Sequence, residues 1–411
     1  MGQLAVNGGA KTRTKGFHGW PVFDDREVQA VSEVVRSGRW GCLSGTKVNE
    51  FTRKFADFQQ AKYGVCVVNG TAALEVALRA VGMRAGDEVI VPPYTFIATA
   101  SAVLQQGGIP VFVDIEPESY NLDPTKIEAA ISDKTKAIVA VHIAGGPADM
   151  DGIMAVAKKH GLKVVEDAAQ AHGAEWNGRR VGALGDAGTF SFQASKNLNA
   201  GEGGIVVTND PQVYAAAWSL HNVGRVPEGQ WYEHKILGWN LRMTEFQGAI
   251  LLAQMERLEE QMKTRDANAR YLDDELAKIE GIRPLKRHPK ATAHAYHLYV
   301  FRYDSQAFGG VPRAKFLQAL GAEGIPVSAG YVPLYKEEMF HVETGGCPMG
   351  CAFYGRTMDY GKVSCPVCEN ASYNEGVWIV QNVLLGPRED MEDIVAAVQK
   401  LRDNIAEMFD G

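Results

Sequence analysis

Residues 163–210 read KVVEDAAQAHGAEWNGRRVGALGDAGTFSFQASKNLNAGEGGIVVTND, and this stretch is the most informative about the fold. It begins with a near-continuous apolar run that ends on a carboxylate, Asp167. A second apolar run follows, then a loop that carries Lys196, a glycine-rich turn at 201–204 and a returning strand. Strands that are covered on both faces lack the polar alternation of half-exposed strands. The stretch therefore predicts buried strands with polar residues in the loops at their ends.

The chain upstream of this stretch repeats the same pattern. Helical patterns occur at 71–82 and 149–161, and each stops at a glycine. The remaining near-continuous apolar runs lie at 89–93, 111–115 and 137–143. Apolar runs that alternate with helical patterns are the signature of βα units, so we predict an α/β fold with a mainly parallel sheet.

The C-terminal part of the chain has a different organisation. A long amphipathic pattern at 244–279 predicts one long helix or two, and an α+β pattern follows it. We therefore expect two domains, a large one at 1–255 with an N-terminal arm and a smaller one at 256–411.

Composition excludes several classes of protein. Of the 411 residues, 46% are hydrophobic and 22% are charged, and the net charge is −7. These proportions are ordinary for a globular protein. There is no dense basic block, no apolar run of membrane length and no signal-peptide core. We expect a cytoplasmic protein that acts on small molecules and binds neither nucleic acid nor membrane.

Polar residues follow several of the predicted strands. Ligands in α/β sheets bind outside the carboxyl ends of the strands. Each of these residues alone has an ordinary structural explanation: a helix cap for Thr71, a salt bridge for Asp167, solvent exposure for Lys196 and core packing for Phe96. Together they provide an amine, an anion, an aromatic wall and a helix N-terminus suited to a phosphate. Pyridoxal 5'-phosphate requires this combination of groups.

The sequence also resembles a known family over nearly its whole length. The segments that carry the resemblance are 166–210, PVFDDREVQAV at 21–31, GWNLRMTEFQGAILLAQ at 238–254 and VWIVQNVLLG at 377–386. They are similar to the DegT/DnrJ/StrS aminotransferases. The resemblance implies fold type I of the pyridoxal phosphate enzymes, a large domain with a mainly parallel seven-stranded sheet and a smaller α+β domain.

The resemblance also implies roles for individual residues. Lys196 would form the internal aldimine and move protons, and Asp167 would hold the pyridine nitrogen protonated. Asn240 matches an asparagine that reaches the cofactor phosphate of the neighbouring subunit, which implies a homodimer with shared active sites. The remaining cofactor contacts would be Gly70, Thr71, Phe96, Gln170 and Ser191.

The substrate pocket is less readable from the sequence. Polyhydroxylated rings are held by several neutral donors and acceptors. The candidates for this role are His142, His172, His297 and Tyr331, each of which could equally be a satisfied structural residue. Within the family, the sequence looks most like the branch of scyllo-inosose aminotransferases and 3-amino-5-hydroxybenzoate synthases.

Six cysteines occur without an export signal, so we expect thiols rather than disulfides. Four of them have spacings that would suit a structural zinc clip, although a Cys-Pro at 365–366 also occurs in relatives without a metal. These four are Cys347, Cys351, Cys365 and Cys368. We predict no metal in the active site.

The sequence thus predicts a ping-pong aminotransferase that alternates between the pyridoxal and pyridoxamine forms of its cofactor. The amino donor would be L-glutamine or L-glutamate, and the acceptor a keto-cyclitol or keto-sugar. One rival is a dehydratase or aromatase of the 3-amino-5-hydroxybenzoate synthase type, for which Arg225 could supply a cation. A second rival, a binding protein without catalysis, would be expected to lack Lys196 or Asp167, and both are present.

Overall fold

Residues 3–340, 354–356 and 358–408 are described by a computed structural model of the chain. The helices are α1 (Asp25–Ser37), α2 (Lys47–Phe58), α3 (Gly70–Ala80), α4 (Ala98–Gln105), α5 (Pro124–Ile127), α6 (Met150–His160), α7 (Pro211–His221), α8 (Glu245–Leu276), α9 (Arg313–Ala322), α10 (Pro366–Asn370) and α11 (Arg388–Asp403). The strands are β1 (Tyr63–Val67), β2 (Glu88–Val91), β3 (Ile109–Phe112), β4 (Thr135–Val141), β5 (Lys163–Asp167), β6 (Glu175–Trp176), β7 (Arg179–Arg180), β8 (Ala187–Ser191), β9 (Gly204–Thr208), β10 (Ile282–Pro284), β11 (Ala291–Ala293), β12 (Leu298–Tyr303) and β13 (Gly376–Val380).

A seven-stranded sheet organises the first half of the chain. Its strand order is β1-β9-β8-β5-β4-β2-β3. The pairs from β8 through β5, β4 and β2 to β3 are parallel, whereas β9 runs antiparallel to both β1 and β8. The predicted α/β class and the mainly parallel sheet are confirmed. Because β1, β5 and β8 point the same way, the loops after them meet at one edge of the sheet.

Local sequence signals explain where the helices of this half begin and end. The side chain of Asn69 accepts a hydrogen bond from the Ala72 amide at 2.8 Å and caps α3. Asp149 caps α6 in the same way, and Gly161 ends it with a φ of 67°. Capping side chains satisfy amide groups that the first helical turn leaves without partners.

The predicted long amphipathic segment is one helix of 32 residues, α8. Its N-terminus is closed by a capping box between Thr244 and Gln247. The expected domain boundary after residue 255 falls inside α8, and the division into 1–255 and 256–411 stays a prediction. Beyond α8, an antiparallel sheet with the order β10-β12-β13 packs with α9 and α11.

The described residues form three apolar core clusters. Two of them cover the two faces of the large sheet, and strand residues such as Val89 and Ile90 point to opposite clusters. A third surrounds the small sheet and includes Leu4 of the N-terminal arm. Within the described ranges, none of the helices combines the length and the apolar character that a membrane crossing requires.

Candidate active site

A cavity of about 810 Å³ opens at the edge of the large sheet where β5 and β8 end. Both halves of the chain contribute to its wall. The predicted site residues that line it are Gly70, Thr71, Phe96, Asp167, Gln170, Ser191, Lys196, His297 and Tyr331. Residues that are far apart in the sequence are therefore gathered in one place.

Lys196 is the cation of this cavity. It lies five residues beyond the end of β8, and its Nζ is 3.5 Å from Nε2 of His297. Burial lowers the pKa of the Lys196 ammonium to about 8, and the negative charge of Asp167 opposes that shift. At pH 7 about a tenth of such lysines are free amines, against less than about a thousandth at the ordinary lysine pKa, and the free amine is the form that acts as a nucleophile or a general base.

A short chain of hydrogen bonds fixes the tautomer of His297. The amide NH₂ of Asn197 donates to the Ala295 carbonyl at 2.7 Å, which leaves the Asn197 amide oxygen facing Nδ1 of His297 at 3.2 Å. Nδ1 must then carry the proton, so Nε2 is an acceptor that faces Lys196. Burial holds the pKa of His297 well below its usual value, so the ring is neutral and can accept a hydrogen bond from the lysine.

Asp167 ends β5 at the floor of the cavity. Its Oδ2 accepts a hydrogen bond of 2.7 Å from the Thr99 hydroxyl, and its Oδ1 accepts one of 3.3 Å from the Ala169 amide. Burial raises the pKa of this carboxyl group, while the Thr99 bond and the charge of Lys196 oppose the shift. A buried carboxylate in this position gains most from a cationic partner.

The N-terminus of α3 forms a close-packed anion cradle. A Cβ added to Gly70 would lie 2.7 Å from Cβ of Ser191. A Cβ on Gly204 would lie 2.3 Å from the Asn69 carbonyl oxygen. Only glycine fits at these two positions, which lets backbone amides and the Ser191 hydroxyl approach one ligand group. A helix N-terminus of this form suits a phosphate.

Gln170 and Phe96 complete the wall around the cradle. The Gln170 side chain accepts a hydrogen bond from the Ala144 amide at 2.7 Å and donates one to the Tyr331 hydroxyl at 3.0 Å. Phe96 is 55% exposed, so its ring offers an open face to a flat ligand. The two hydrogen bonds therefore hold the Gln170 side chain in one orientation.

Two of the predicted substrate residues do not line the cavity. His142 is fully buried, where it donates to Glu166 at 3.0 Å and accepts from the Ala148 amide at 3.0 Å. His172 donates to the Ser191 carbonyl at 2.9 Å and packs among Phe55, Phe190 and Phe192. Burial and the nearby charge of Lys196 lower the pKa of His172 to about 3. Both rings are structural neighbours of the site.

Asn240 and Arg225 also lie away from this cavity. Asn240 is exposed and pairs with Asn222 in an isolated bridge. Arg225 stacks over Trp231 with 5.5 Å between the guanidinium carbon and the ring centroid. Neither side chain lines the cavity of its own chain.

The cysteine prediction is described only in part. Cys347 and Cys351 lie outside the described residues. Cys365 and Cys368 are buried free thiols. Burial raises the pKa of Cys365 to about 12, so that thiol is not poised to release its proton to a metal. The described residues contain no group of three or more potential metal ligands.

Three residues of the site were missed in the sequence. Thr99 bonds Asp167, Trp20 lines the cavity and donates to the Ala194 carbonyl at 2.8 Å, and Gln381 lines the cavity just after β13. Gln381 directly follows an apolar strand and Asp167 is the last residue of one, so the same strand-end signal could have identified Gln381. Trp20 gives no such signal because it belongs to an irregular arm.

Comparison with known proteins gives consistent results. The model of the DegT/DnrJ/EryC1/StrS aminotransferase family matches residues 21–366. The chain is 39% identical over 418 residues to the L-glutamine:2-deoxy-scyllo-inosose aminotransferase of Streptomyces fradiae, covering 97% of both chains. It is 36% identical over 420 residues to the L-glutamine:scyllo-inosose aminotransferase of Streptomyces griseus, covering 98% of this chain and 99% of the relative.

A solved structure of similar shape is that of 3-amino-5-hydroxybenzoic acid synthase. The TM-score is 0.85 at 33% identity, over 94% of this chain and 99% of the synthase. The likeness extends over both halves of the chain, so it includes the large sheet and the C-terminal α+β part together.

Proposed function

The chain belongs to the DegT/DnrJ/EryC1/StrS aminotransferase family, and from this membership we propose the reaction that this aminotransferase catalyses. It uses pyridoxal 5'-phosphate and moves an amino group from L-glutamine or L-glutamate to a keto-cyclitol or keto-sugar. Donor and acceptor react in turn at one site. The names of the two relatives support L-glutamine as the donor and a six-membered keto-cyclitol as the acceptor.

The cavity fits this cofactor. Gly70 and Gly204 create a cradle that any side chain would fill, and such a cradle beside Ser191 suits a phosphate. Asp167 is a buried carboxylate without a salt-bridge partner among the described residues, and it suits a pyridinium nitrogen. Phe96 would stack on the ring, Gln170 would contact the ring hydroxyl, and Lys196 would hold the aldehyde carbon. When bound, the cofactor supplies an electron sink for the carbon that loses its proton.

The chain's own groups account for the proton movements. As a free amine, Lys196 would take the proton from the α-carbon of the donor and would return it to the carbon on the other side of the transferred nitrogen. Nε2 of His297 accepts a hydrogen bond from this amine and keeps it on one side of the site. Asp167 keeps its negative charge opposite the lysine, and the Thr99 hydroxyl fixes its orientation.

The polar lining supports a hydroxylated acceptor. His297 and Tyr331 remain as substrate contacts because both line the cavity. Neutral donors and acceptors discriminate ring hydroxyl groups well, since a missing hydroxyl leaves a buried polar group without its partner. His142 and His172 have no such role in this proposal, because their ring nitrogens face the protein interior.

The rival reaction, that of a dehydratase or aromatase, uses the same cofactor but removes water instead of transferring an amino group. The similarity to 3-amino-5-hydroxybenzoic acid synthase favours it as a second candidate, in which a carbocyclic acid loses water and becomes aromatic. Such an acid needs a cation for its carboxylate. Arg225 lies outside the cavity of its own chain, so it would have to act in a partner's site. Aminotransfer therefore stays the first choice.

We propose a homodimer as the active unit. Asn240 is exposed, and the hairpin before it presents large apolar side chains to solvent, with exposures of 77% for Trp231, 76% for Tyr232 and 85% for Leu237. Exposed apolar patches of this kind mark contact surfaces. In a dimer, Asn240 would reach the phosphate in the partner's cavity. We also retain the cytoplasm as the proposed location and 1–255 and 256–411 as the two domains.

The observation that carries the proposal is the convergence of a buried Lys196, a buried Asp167 and a glycine cradle on one cavity. The test is a two-substrate assay with L-glutamine and scyllo-inosose or its 2-deoxy form, with the product identified by mass. We expect an aminocyclitol and parallel lines in double-reciprocal plots. Loss of water from a carbocyclic acid without amino transfer would instead support the dehydratase.

A further inference from the structure

Arg265 is a buried cation without an anionic partner. It projects from the middle of α8 with a side chain that is fully buried. No salt bridge to it occurs among the described residues, and its Nη1 has no hydrogen-bond partner there. Burial lowers the pKa of the guanidinium to about 9, so the group is still charged at neutral pH. The ring of Trp20, 5.4 Å from the guanidinium carbon to the ring centroid, offsets part of this charge. A buried charge without an anion is nevertheless costly, which calls for an explanation of its presence.

Arg265 holds the side chain of Gln381 in one orientation. Its Nε and Nη2 donate to the same oxygen, Oε1 of Gln381, at 3.0 and 2.5 Å. The oxygen of Gln381 therefore faces the guanidinium, and its NH₂ group must point the other way. Gln381 lines the active-site cavity. The pair thus presents a fixed amide donor to the cavity, with a positive charge directly behind it.

The rest of the lining contains little that could bind a carboxylate. Among the described residues that form the wall, Lys196 is the one cation, and it is occupied by proton transfer in the proposed reaction. The cradle at α3 is taken by a phosphate in that reaction. An amino-acid donor brings an α-carboxylate, whereas scyllo-inosose and its 2-deoxy form carry no charged group. A fixed donor supported by a buried cation suits the charged ligand.

We propose that Gln381, held and polarised by Arg265, binds the α-carboxylate of the amino donor. This inference rests on the proposed function, because it assigns the donor's subsite in the same cavity. Gln381 contacts the ligand, and Arg265 is a positioning residue that acts through it. The bound carboxylate would supply the negative charge that Arg265 otherwise lacks.

A structural role is the competing explanation, and the chain offers a matched control for it. Asn268 lies three residues after Arg265 on α8, and its NH₂ donates to the carbonyl groups of Leu384 and Gly386 at 2.9 Å each. Both residues therefore tie α8 to the segment after β13. Asn268 does not line the cavity, so N268L removes the structural link without touching the proposed subsite.

The test compares L-glutamine with 4-aminobutanamide, the same molecule without its α-carboxylate. Apparent dissociation constants come from the concentration dependence of the single-turnover rate of holoenzyme, or from inhibition where the amine does not react. The variants are Q381E, which places a carboxylate against Arg265, and R265M, which removes the charge at similar volume. Thermal unfolding of the proteins without cofactor provides a second readout.

We expect Q381E to weaken L-glutamine binding about tenfold or more, because its carboxylate repels that of the donor. Binding of 4-aminobutanamide and of the keto acceptor should change less than about threefold. The unfolding midpoint of Q381E should not fall, since Arg265 gains an ion pair, while N268L should lower it and leave the donor preference intact. R265M should reduce the preference for L-glutamine over 4-aminobutanamide in the same direction as Q381E.

The inference would be overturned if Q381E weakened the binding of L-glutamine and of 4-aminobutanamide equally. It would also be overturned if Q381E weakened only the binding of the keto acceptor. An unchanged preference in Q381E would do so as well. Failure of the proposed function gives a different result, because the wild-type protein would then react with no amino donor.

Discussion

Lys196 is the residue whose chemistry depends most on its surroundings. Burial favours the neutral amine, Asp167 favours the ammonium, and the balance places its pKa at about 8. His297 accepts a hydrogen bond from Lys196 and stays neutral, because burial holds the pKa of its ring well below the usual value. Lys196 is therefore the group of this pair that gains and loses a proton near physiological pH.

The first prediction concerns the pH dependence of cofactor attachment. The free amine is the reactive form, so the rate at which apo-protein binds pyridoxal phosphate covalently should rise about tenfold per pH unit below the pKa and level off near pH 8. Stopped-flow absorbance measures this rate. A solution control with Nα-acetyl-lysine should keep rising to about pH 10, its ordinary pKa. A protein profile that also rises to pH 10 would contradict the assigned environment.

The second prediction concerns the charge of Asp167. D167N preserves the shape of the side chain and removes its charge, so kcat should fall about hundredfold or more. The plateau of the attachment profile should also move to lower pH, because Asp167 raises the pKa of Lys196. E202Q removes an exposed carboxylate from the same wall and should cost less than about tenfold. Equal effects of the two substitutions would argue against a special role for Asp167.

The predicted residues at strand ends line the cavity, whereas two of the predicted histidines do not. Asp167, Ser191 and Lys196 follow from a simple rule, that polar groups after buried strands face the ligand edge. His142 obeys the same rule and yet turns inward, because Glu166 offers it a buried acceptor. Sequence position does not reveal such a partner, so the side-chain direction had to come from the structure.

The N-terminus of α3 shows how an element is shaped for a ligand. Asn69 caps the helix, Gly70 opens it, and Gly204 of β9 lets the strand approach the Asn69 carbonyl. The sequence predicted the helix and its phosphate role. The close packing of Gly70 against Ser191 depends on the neighbouring strand, and a one-dimensional pattern does not contain it.

The third prediction concerns this packing. G70A would place a methyl group 2.7 Å from Cβ of Ser191, so it should weaken cofactor binding about tenfold or more. Fluorescence titration of apo-protein measures the affinity. G321A is the matched control, because Gly321 of α9 has open space around it, and that variant should stabilise the protein by about 0.5–1 kcal/mol with unchanged affinity. Wild-type affinity in G70A would mean that the phosphate binds elsewhere.

For α8, the sequence did not determine whether the segment forms one helix or two. Its amphipathic pattern was compatible with one helix or two, and the structure has one, of about 48 Å. Arg265 and Asn268 on this helix donate hydrogen bonds to the segment that follows β13. The first residue of that segment, Gln381, lines the cavity. These bonds join residues more than a hundred positions apart, beyond the range of local sequence patterns.

At the scale of the whole molecule, the proposed dimer gives each cavity a residue that its own chain does not provide. Asn240 does not line the cavity of its own chain, and it follows an exposed apolar hairpin. Family resemblance predicted this role, and neither composition nor spacing would have suggested it. In a single chain, a contact surface between two copies is visible only as an exposed apolar patch.

The fourth prediction tests the shared site by complementation. K196A and N240D are each expected to be nearly inactive, the second because its carboxylate repels the phosphate. Co-expressed with different tags, they should form hybrids in which one of the two sites has neither defect, so an equal mixture should recover about a quarter of the wild-type activity. Purified hybrids no more active than their parents would contradict a site built from two chains.

A single-turnover half-reaction separates amino transfer from the rival reactions. Holoenzyme is mixed separately with L-glutamine, L-glutamate and L-alanine, without keto acceptor, and the visible absorbance of the cofactor is followed, with K196A as the control. We expect rapid, complete bleaching with L-glutamine or L-glutamate and none in K196A, whose fold should be retained. Visible absorbance that no amino acid bleaches, or bleaching at the wild-type rate in K196A, would contradict an aminotransferase that depends on Lys196.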